Sequence, residues 1–272
     1  MITIKSLREI EIMARAGRIV AGVFALMREL VRAGITTEEL DAAAETFIRG
    51  HEGATPSFKG LYGFPKTLCV SIDQEIVHGI PSRKRVLAAG SIVSVDVGVQ
   101  LEGLHADAAT TIAVEEITPE ARRLLDVTEA CLAAGVAQAR VGNHVGDIGH
   151  AVQQVAERAG FGVVRELVGH GIGARFHEEP QIPNYGSPKR GPRLLAGMTL
   201  AIEPMITLGA PTTRTLGDKW TVVTADGSLS AHFEHTVAVT PNGPRILTTT
   251  EEPKSRRAEE QKSRGAEEPM KP

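Results

Sequence analysis

Asp96 and Asp107 stand inside one apolar stretch, Ser91–Val114 (SIVSVDVGVQLEGLHADAATTIAV). Ile92, Val93, Val95, Val97 and Val99 on one side and Ala108 to Val114 on the other read as two strands, with Gln100-Leu101-Glu102-Gly103 between them supplying a glycine where the chain reverses. Centring this hairpin between Leu101 and Glu102 sets the two carboxylates face to face, Cβ atoms roughly 4.5–5.5 Å apart. Carboxylates that close, among apolar neighbours, repel one another and lose hydration. Either one is protonated or a cation lies between them. A hairpin with both aspartates in water is the plainer alternative, and the valines and alanines crowding both positions weigh against it.

Further acidic groups sit in similar surroundings. Glu203 lies in MTLAIEPMI, where Pro204 removes a backbone donor and makes the strand locally irregular. Glu234 lies in SAHFEHTVAV, expected to pair with a strand from Trp220 to Val223 and to hold the place that Asp107 has in the first hairpin. Four acidic groups in four apolar strands call for a cation, and more readily two, because a lone buried carboxylate costs several kcal/mol. His170, in GHGIG, adds an imidazole; the glycine run lacks the GxGxxG spacing of a phosphate cradle. A solitary histidine is more often structural, but beside four buried carboxylates it reads as a ligand. Two Asp, two Glu and one His suit paired Mn²⁺, Fe²⁺, Co²⁺ or Zn²⁺. Ions bridged ~3.5–4 Å apart share one activated water. His51, His105, His144, His150, His232 and His235 lack such company and read as bystanders.

These residues need a frame, and the chain repeats one. Ser6-Leu7-Arg8-Glu9 is a capping box opening a helix with apolar residues at helical spacing up to Gly34. A second helix starts at Thr36–Glu39, a third after Thr118-Pro119, and a fourth spans Asp147 to Arg158. Arg32-Ala33-Gly34 aligns with Arg140-Val141-Gly142 at an offset of 108, and Leu87–Gly90 before Asp96 aligns with Leu194–Gly197 before Glu203 at 107. Val77–Pro81 resembles Phe176–Pro180 at 99. Three matches in one order predict two copies of a helix-helix-strand-hairpin unit, paired about a pseudo-twofold axis so that both apolar sheet faces are buried.

Composition narrows the setting. The 272 residues suffice for a substantial core, and a net charge of −3 makes no electrostatic case for nucleic acid or an anionic membrane. Two cysteines without a CxxC pair suit a reducing cytosol. The first twenty residues are too charged for a signal peptide, and no apolar run reaches spanning length. Residues 250–272 change character: near-repeats beginning at Glu251, Glu259 and Glu267 balance six acidic against six basic side chains and read as a disordered polyampholyte tail.

Taken together, CVSIDQEIVHGIP, SIVSVDVGV with HADAATT, GHGIGARFHEEP, AIEPMI and DKWTVVTADGSLSAHFEHT resemble type I methionine aminopeptidases, over residues 1 to about 248. The resemblance implies an α+β, pseudo-twofold "pita-bread" fold of antiparallel sheets covered by two helix pairs, with a catalytic domain over residues 1–249. The simple bacterial form, with neither an N-terminal extension nor a type II insertion, is the expected one. It implies two divalent ions held by Asp96, Asp107, His170, Glu203 and Glu234, with Asp107 and Glu234 bridging. A water activated between the metals would attack the first peptide bond, Glu203 serving as proton acceptor and donor. His177 would bond the carbonyl oxygen and His78 contact the scissile nitrogen. The substrate's free amino group would ligate a metal, so that only chain ends fit. Phe58, Leu61, Phe64, Cys69, Phe176 and Trp220 would wall a methionine pocket, and four of the chain's ten aromatic residues are spent there. Tyr62 stands before Gly63 where the family often has histidine, and it joins the substrate-binding set. The implied substrate is the initiator methionine of nascent chains with a small second residue. The implied setting is a cytoplasmic monomer in transient contact with ribosomes. A proline-directed relative of the same fold is the enzymatic rival, disfavoured because no extra N-terminal domain is present. A non-catalytic binding protein on this fold would be expected to have lost its ligands, and all five are present.

Overall fold

The computed structural model describes residues 1–250. The first half runs α1 (Leu7–Leu30), α2 (Thr37–Arg49), β1 (Ala54–Pro56), β2 (Cys69–Ile72), β3 (Glu75–Val77), β4 (Ile92–Leu101) and β5 (Leu104–Ala113). The second runs α3 (Pro119–Ala137), α4 (Val145–Arg158), β6 (Gly162–Val163), β7 (Gly169–Gly171), β8 (Glu178–Ile182), β9 (Thr199–Ile202) and β10 (Met205–Thr207). It closes with β11 (Thr213–Thr215), β12 (Val222–Thr224), β13 (Ser230–His232), β14 (His235–Thr240) and β15 (Gly243–Ile246). The expected charged tail lies outside the described residues.

The first two helices begin where local chemistry tells them to. The Ser6 hydroxyl accepts from the Glu9 N–H while the Glu9 carboxylate accepts from the Ser6 N–H, and Thr36 with Glu39 does the same for α2. Ile10, Met13, Val20, Val23 and Met27 then fall on the buried face of α1. That face and α2 cover β1, β2, β4 and β5, burying Leu40, Ile48, Val93, Val95, Val97 and Val99 in one core. On the other side α3 and α4 cover the sheet β15-β14-β9-β7-β8, with Leu132, Ile148, Leu200, Ile202 and Val237 between the layers.

The internal repeat is visible in the backbone bonds. Gly34 N–H donates to Leu87 O at 2.9 Å and Gly142 N–H to Leu194 O at 3.0 Å. Lone antiparallel bridges join Thr36 to Val86 and His144 to Arg193. Val114 N–H donates to Ser91 O at 2.8 Å, and Val239 N–H to Met198 O at 2.9 Å. The offset is therefore 107–108 along the helices and β4/β9 but 125 between β5 and β14, because β11 and β12 are inserted in the second copy.

Four local expectations are corrected. β4 and β5 pair with Gly98 opposite Asp107 and Asp96 opposite Ala109, so the two aspartates are diagonal neighbours rather than directly opposed. The turn is tighter than expected: Gln100 and Leu101 stay in the ladder, and Glu102 (φ 49°) and Gly103 (φ 79°) make a two-residue turn with both central residues left-handed. Since the slip moves the partner by two positions, both carboxylates remain on one face. β12 pairs with β3 and β11, not with the strand that carries Glu234. Counting inward from Val114 and Val239, the first-copy counterpart of Glu234 is Ala109, and the second-copy counterpart of Asp107 is His232.

Candidate metal centre

The site forms where strands change partners. β9 ends at Ile202, paired with His235, and β10 begins at Met205, paired with His232. Between them Glu203-Pro204 faces Phe233-Glu234 without a ladder, as Pro204 has no N–H to give. The Glu203 carbonyl accepts from Asn184 Nδ2 at 2.9 Å, and Glu234 N–H donates to Ala109 O at 2.9 Å. Beside this join the Thr236 hydroxyl takes the Asp107 N–H and gives to the Asp107 carbonyl, at 2.9 and 2.7 Å. The Thr111 hydroxyl does the same for His232, at 3.0 and 2.9 Å. The two clasps are pseudo-symmetric copies, and they bring both hairpins to one line.

Asp96, Asp107, His170 and Glu234 are all buried, and the Glu203 side chain is 14 % exposed. Ligating atoms of Asp107, His170 and Glu234 lie within 4.8 Å of one another. His170 Nδ1 faces the Gly171 carbonyl at 2.9 Å, so it carries the ring proton and leaves Nε2 with a lone pair, 3.7 Å from Glu203 Oε1. Asp96 Oδ1, Asp107 Oδ1 and Glu234 Oε1 are enclosed with no hydrogen-bond partner among the described residues. Burial, followed by repulsion from Asp107, drives the Asp96, Glu203 and Glu234 carboxyls well above the carboxylate range, and burial lifts Asp107 to about 7. Burial lowers His170 to about 4, keeping it neutral. Orphaned carboxylate oxygens around a neutral imidazole are a donor set for divalent cations of the Mn²⁺ to Zn²⁺ series.

A cavity of about 150 Å³ opens from this cluster. It is lined by all the residues singled out from the sequence: the five acidic and imidazole groups, then His78, His177, Phe58, Leu61, Tyr62, Phe64, Cys69, Phe176 and Trp220. Phe58 meets Phe176 edge-on with centroids 5.3 Å apart, and Phe64 meets Trp220 likewise at 5.1 Å. Cys69 is buried among them, and burial and the neighbouring aspartates hold its thiol well up in the protonated form. His78 and His177 both line the cavity. His78 sits at φ 60°, in the left-handed region that a non-glycine residue enters only under local constraint. The next residue supplies that constraint: Gly79 N–H donates to Ser71 Oγ at 3.2 Å and Gly79 O accepts from Val70 N–H at 2.8 Å. Tyr62 stacks on His177 at 5.6 Å with its hydroxyl 3.2 Å from Nδ1. His232, read from sequence as a bystander, is instead 2 % exposed with its Nε2 3.6 Å from Glu203 Oε2. No spacing in the sequence signalled this, because β13 ends at His232 and Glu234 lies in the break before β14.

Comparison with known proteins follows the same lines. The description of metallopeptidase family M24 matches residues 11–241. The chain is 54 % identical over 248 residues to a methionine aminopeptidase of Clostridium perfringens, covering 91 % of this chain and 99 % of that one. It is 50 % identical over 248 residues to methionine aminopeptidase 1 of Bacillus subtilis, with the same coverage. The crystal structure of a methionine aminopeptidase from Thermotoga maritima superposes with a TM-score of 0.90 at 42 % identity, covering 92 % of this chain and all of that one. Prolidase from Pyrococcus furiosus shares the fold at a TM-score of 0.71 and 22 % identity, this chain matching 66 % of its length.

Proposed function

Since the chain belongs to metallopeptidase family M24 and, within it, to the methionine aminopeptidases, we propose that its cavity holds one N-terminal methionine side chain beside a two-cation centre. The reaction class is hydrolysis of the first peptide bond of a polypeptide, releasing methionine. The observation that carries the finer reading is the joining, in one cavity, of orphaned carboxylates at one end and aromatic edges at the other. About 150 Å³ is the size of a cavity that takes one benzene-sized apolar group. A thioether among ring edges suits it, while an ammonium would lose its hydration with no partner.

Asp96, Asp107, His170, Glu203 and Glu234 would hold the cations. Bound there, divalent cations supply Lewis acidity, lowering the pKa of a water and polarising the scissile carbonyl. Glu203, with one oxygen toward His170, would take up the proton and return it to the leaving amine. Tyr62 O–H donating to His177 Nδ1 leaves Nε2–H to bond the carbonyl oxygen as charge develops. His78 would contact the scissile nitrogen. Neutral His78 serves that contact: burial, then the neighbouring His177, lowers it to about 4. The second side chain of the substrate must pass between His78 and Tyr62, which favours glycine, alanine and serine. Newly made chains, in the cytoplasm and near the ribosome, are the proposed substrates of what we infer to be a monomer. No helix among the described residues is long and apolar enough to cross a membrane.

A mass-spectrometric time course on one preparation tests this. Met-Ala-Ser should be trimmed, whereas Met-Lys-Ser, Lys-Ala-Ser and acetyl-Met-Ala-Ser should persist. A ~1 Å displacement of the scissile bond by a bulky second residue costs on the order of 10²-fold. Equal trimming of Met-Ala-Ser and Met-Lys-Ser, or release only ahead of proline, would move the chain to another branch of the family.

A further inference from the structure

His232 is the second-copy counterpart of Asp107, held at its backbone by Thr111 as Asp107 is held by Thr236. The pseudo-twofold axis thus delivers a side chain to the centre from each half, a carboxylate from one and an imidazole from the other. His232 Nε2 is wholly enclosed and has no hydrogen-bond partner among the described residues. It stands 3.6 Å from Oε2 of Glu203, while Oε1 of the same carboxylate stands 3.7 Å from His170 Nε2. Each oxygen of Glu203 therefore faces a different imidazole. With its proton on Nδ1, His170 offers only a lone pair to Oε1, so on the metal-centre reading a cation occupies that direction. On the Oε2 side the complementary need is for a donor.

We propose that His232 is a positioning residue for Glu203: its Nε2–H donates to Oε2 and holds Oε1 toward the cation side of the cavity. The inference rests on the metal-centre reading given above. The pair stands 3.6 Å apart and must close to the usual ~2.9–3.0 Å for this bond to form. Held in this way, the carboxylate presents one oxygen to the centre and keeps its orientation while it handles a proton. Outer partners that orient ligands typically govern metal affinity or activity by about 10–100-fold. His232 touches neither substrate nor reacting water; it acts through Glu203.

The test titrates Mn²⁺ into chelator-dialysed protein by calorimetry and measures Met-Ala-Ser turnover, for the unmodified chain, His232→Leu and His232→Gln. His232→Leu should weaken Mn²⁺ binding and lower kcat, each by about 10–100-fold, with KM within about threefold. His232→Gln, whose side-chain amide can donate to the same oxygen, should recover both to within about threefold. Mn²⁺ affinity indifferent to leucine, or glutamine no better than leucine, would overturn the proposal. Should the leucine variant fail to fold, ¹⁵N-resolved spectra of the unmodified protein decide. The His232 Nε2–H cross-peak should persist at Zn²⁺ saturation, and an unprotonated Nε2 would overturn the assignment. Absence of any cation binding by the unmodified protein would instead sink the metal-centre reading itself.

Discussion

Lys5→Met isolates a charge pair that ties the N-terminal segment to the loop bearing His177. Lys5 Nζ lies 2.5 Å from Glu178 Oε2, with the two side chains only 5 % and 3 % exposed. The Lys5 N–H also donates to the Gly197 carbonyl at 2.8 Å, anchoring the segment in the second half. Removing the lysine leaves Glu178 buried without its counter-charge, which typically costs 3–5 kcal/mol. The Thr3 hydroxyl and the Arg175 N–H still reach that carboxylate, so the low end, about 3 kcal/mol, applies. At 2–4 °C per kcal/mol for a domain of this size, Tm should fall by about 6–12 °C. Adding Glu178→Gln removes the stranded charge and should recover more than half of that loss. Burial opposes ionisation of Glu178, but the bonds from Lys5, Thr3 and Arg175 hold its carboxyl below the ordinary value of 4.5. A depressed carboxyl contributes stability that is present above its unfolded pKa and lost as pH falls through the folded one. The difference between parent and Lys5→Met should therefore shrink below about pH 4.5. The assay is calorimetric melting of the three proteins at pH 7 and pH 4. A single variant within 2 °C of the parent, or a double variant no better than the single, would refute the reasoning.

Two further outcomes follow from the same geometry. Gly98→Ala places a Cβ 2.8 Å from Phe176 Cε2 and from Ser57 Cβ and 3.1 Å from Phe58 Cε1. Both rings line the cavity and must shift; with about 1–3 kcal/mol of overpacking falling on the bound state, KM for Met-Ala-Ser should rise by roughly fivefold or more at unchanged bound metal, and an unchanged KM would refute the pocket assignment. In cation-free protein the raised Asp107 carboxyl contributes stability below its ordinary pKa and loses it as pH rises through about 7. Buried His170, lowered to about 4, works oppositely, its contribution being present above 6.5 and lost as pH falls toward 4. Mn²⁺ replaces protons on the carboxylates, so the rise in Tm on loading should be larger at pH 7.5 than at pH 5.5. A rise that is equal or larger at pH 5.5 would contradict the carboxylate centre.

Much of this was legible because strand patterning and repeats survive in the order of residues. The Ser6 capping box marks the start of α1, and the irregularity predicted at Glu203-Pro204 is where β9 and β10 part. The matching Gly34 and Gly142 segments make matching bonds. The hairpin register was harder, since a Glu-Gly turn and a longer Gln-Leu-Glu-Gly turn differ by one residue at its centre while leaving the in-out alternation intact. The role of His232 was hidden for another reason. Its proximity to Glu203 depends on how β10 and β13 pair across a break in the ladder, and no spacing within one strand encodes that. The pocket walls come from segments as distant as Phe58 and Trp220; the motif resemblance identified them, and local pattern alone would have left them as core.

The most direct measurement is hydrolysis of Met-Ala-Ser by protein dialysed against chelator, before and after Mn²⁺ or Co²⁺ is returned, alongside Glu234→Gln. Glu234 is 1 % exposed and its Oε1 is among the orphaned oxygens, so an amide there should cost bound metal and turnover together. Methionine release should be lost on dialysis, return with the cation in the parent, and fail to return in Glu234→Gln. Full release by cation-free protein would contradict the account.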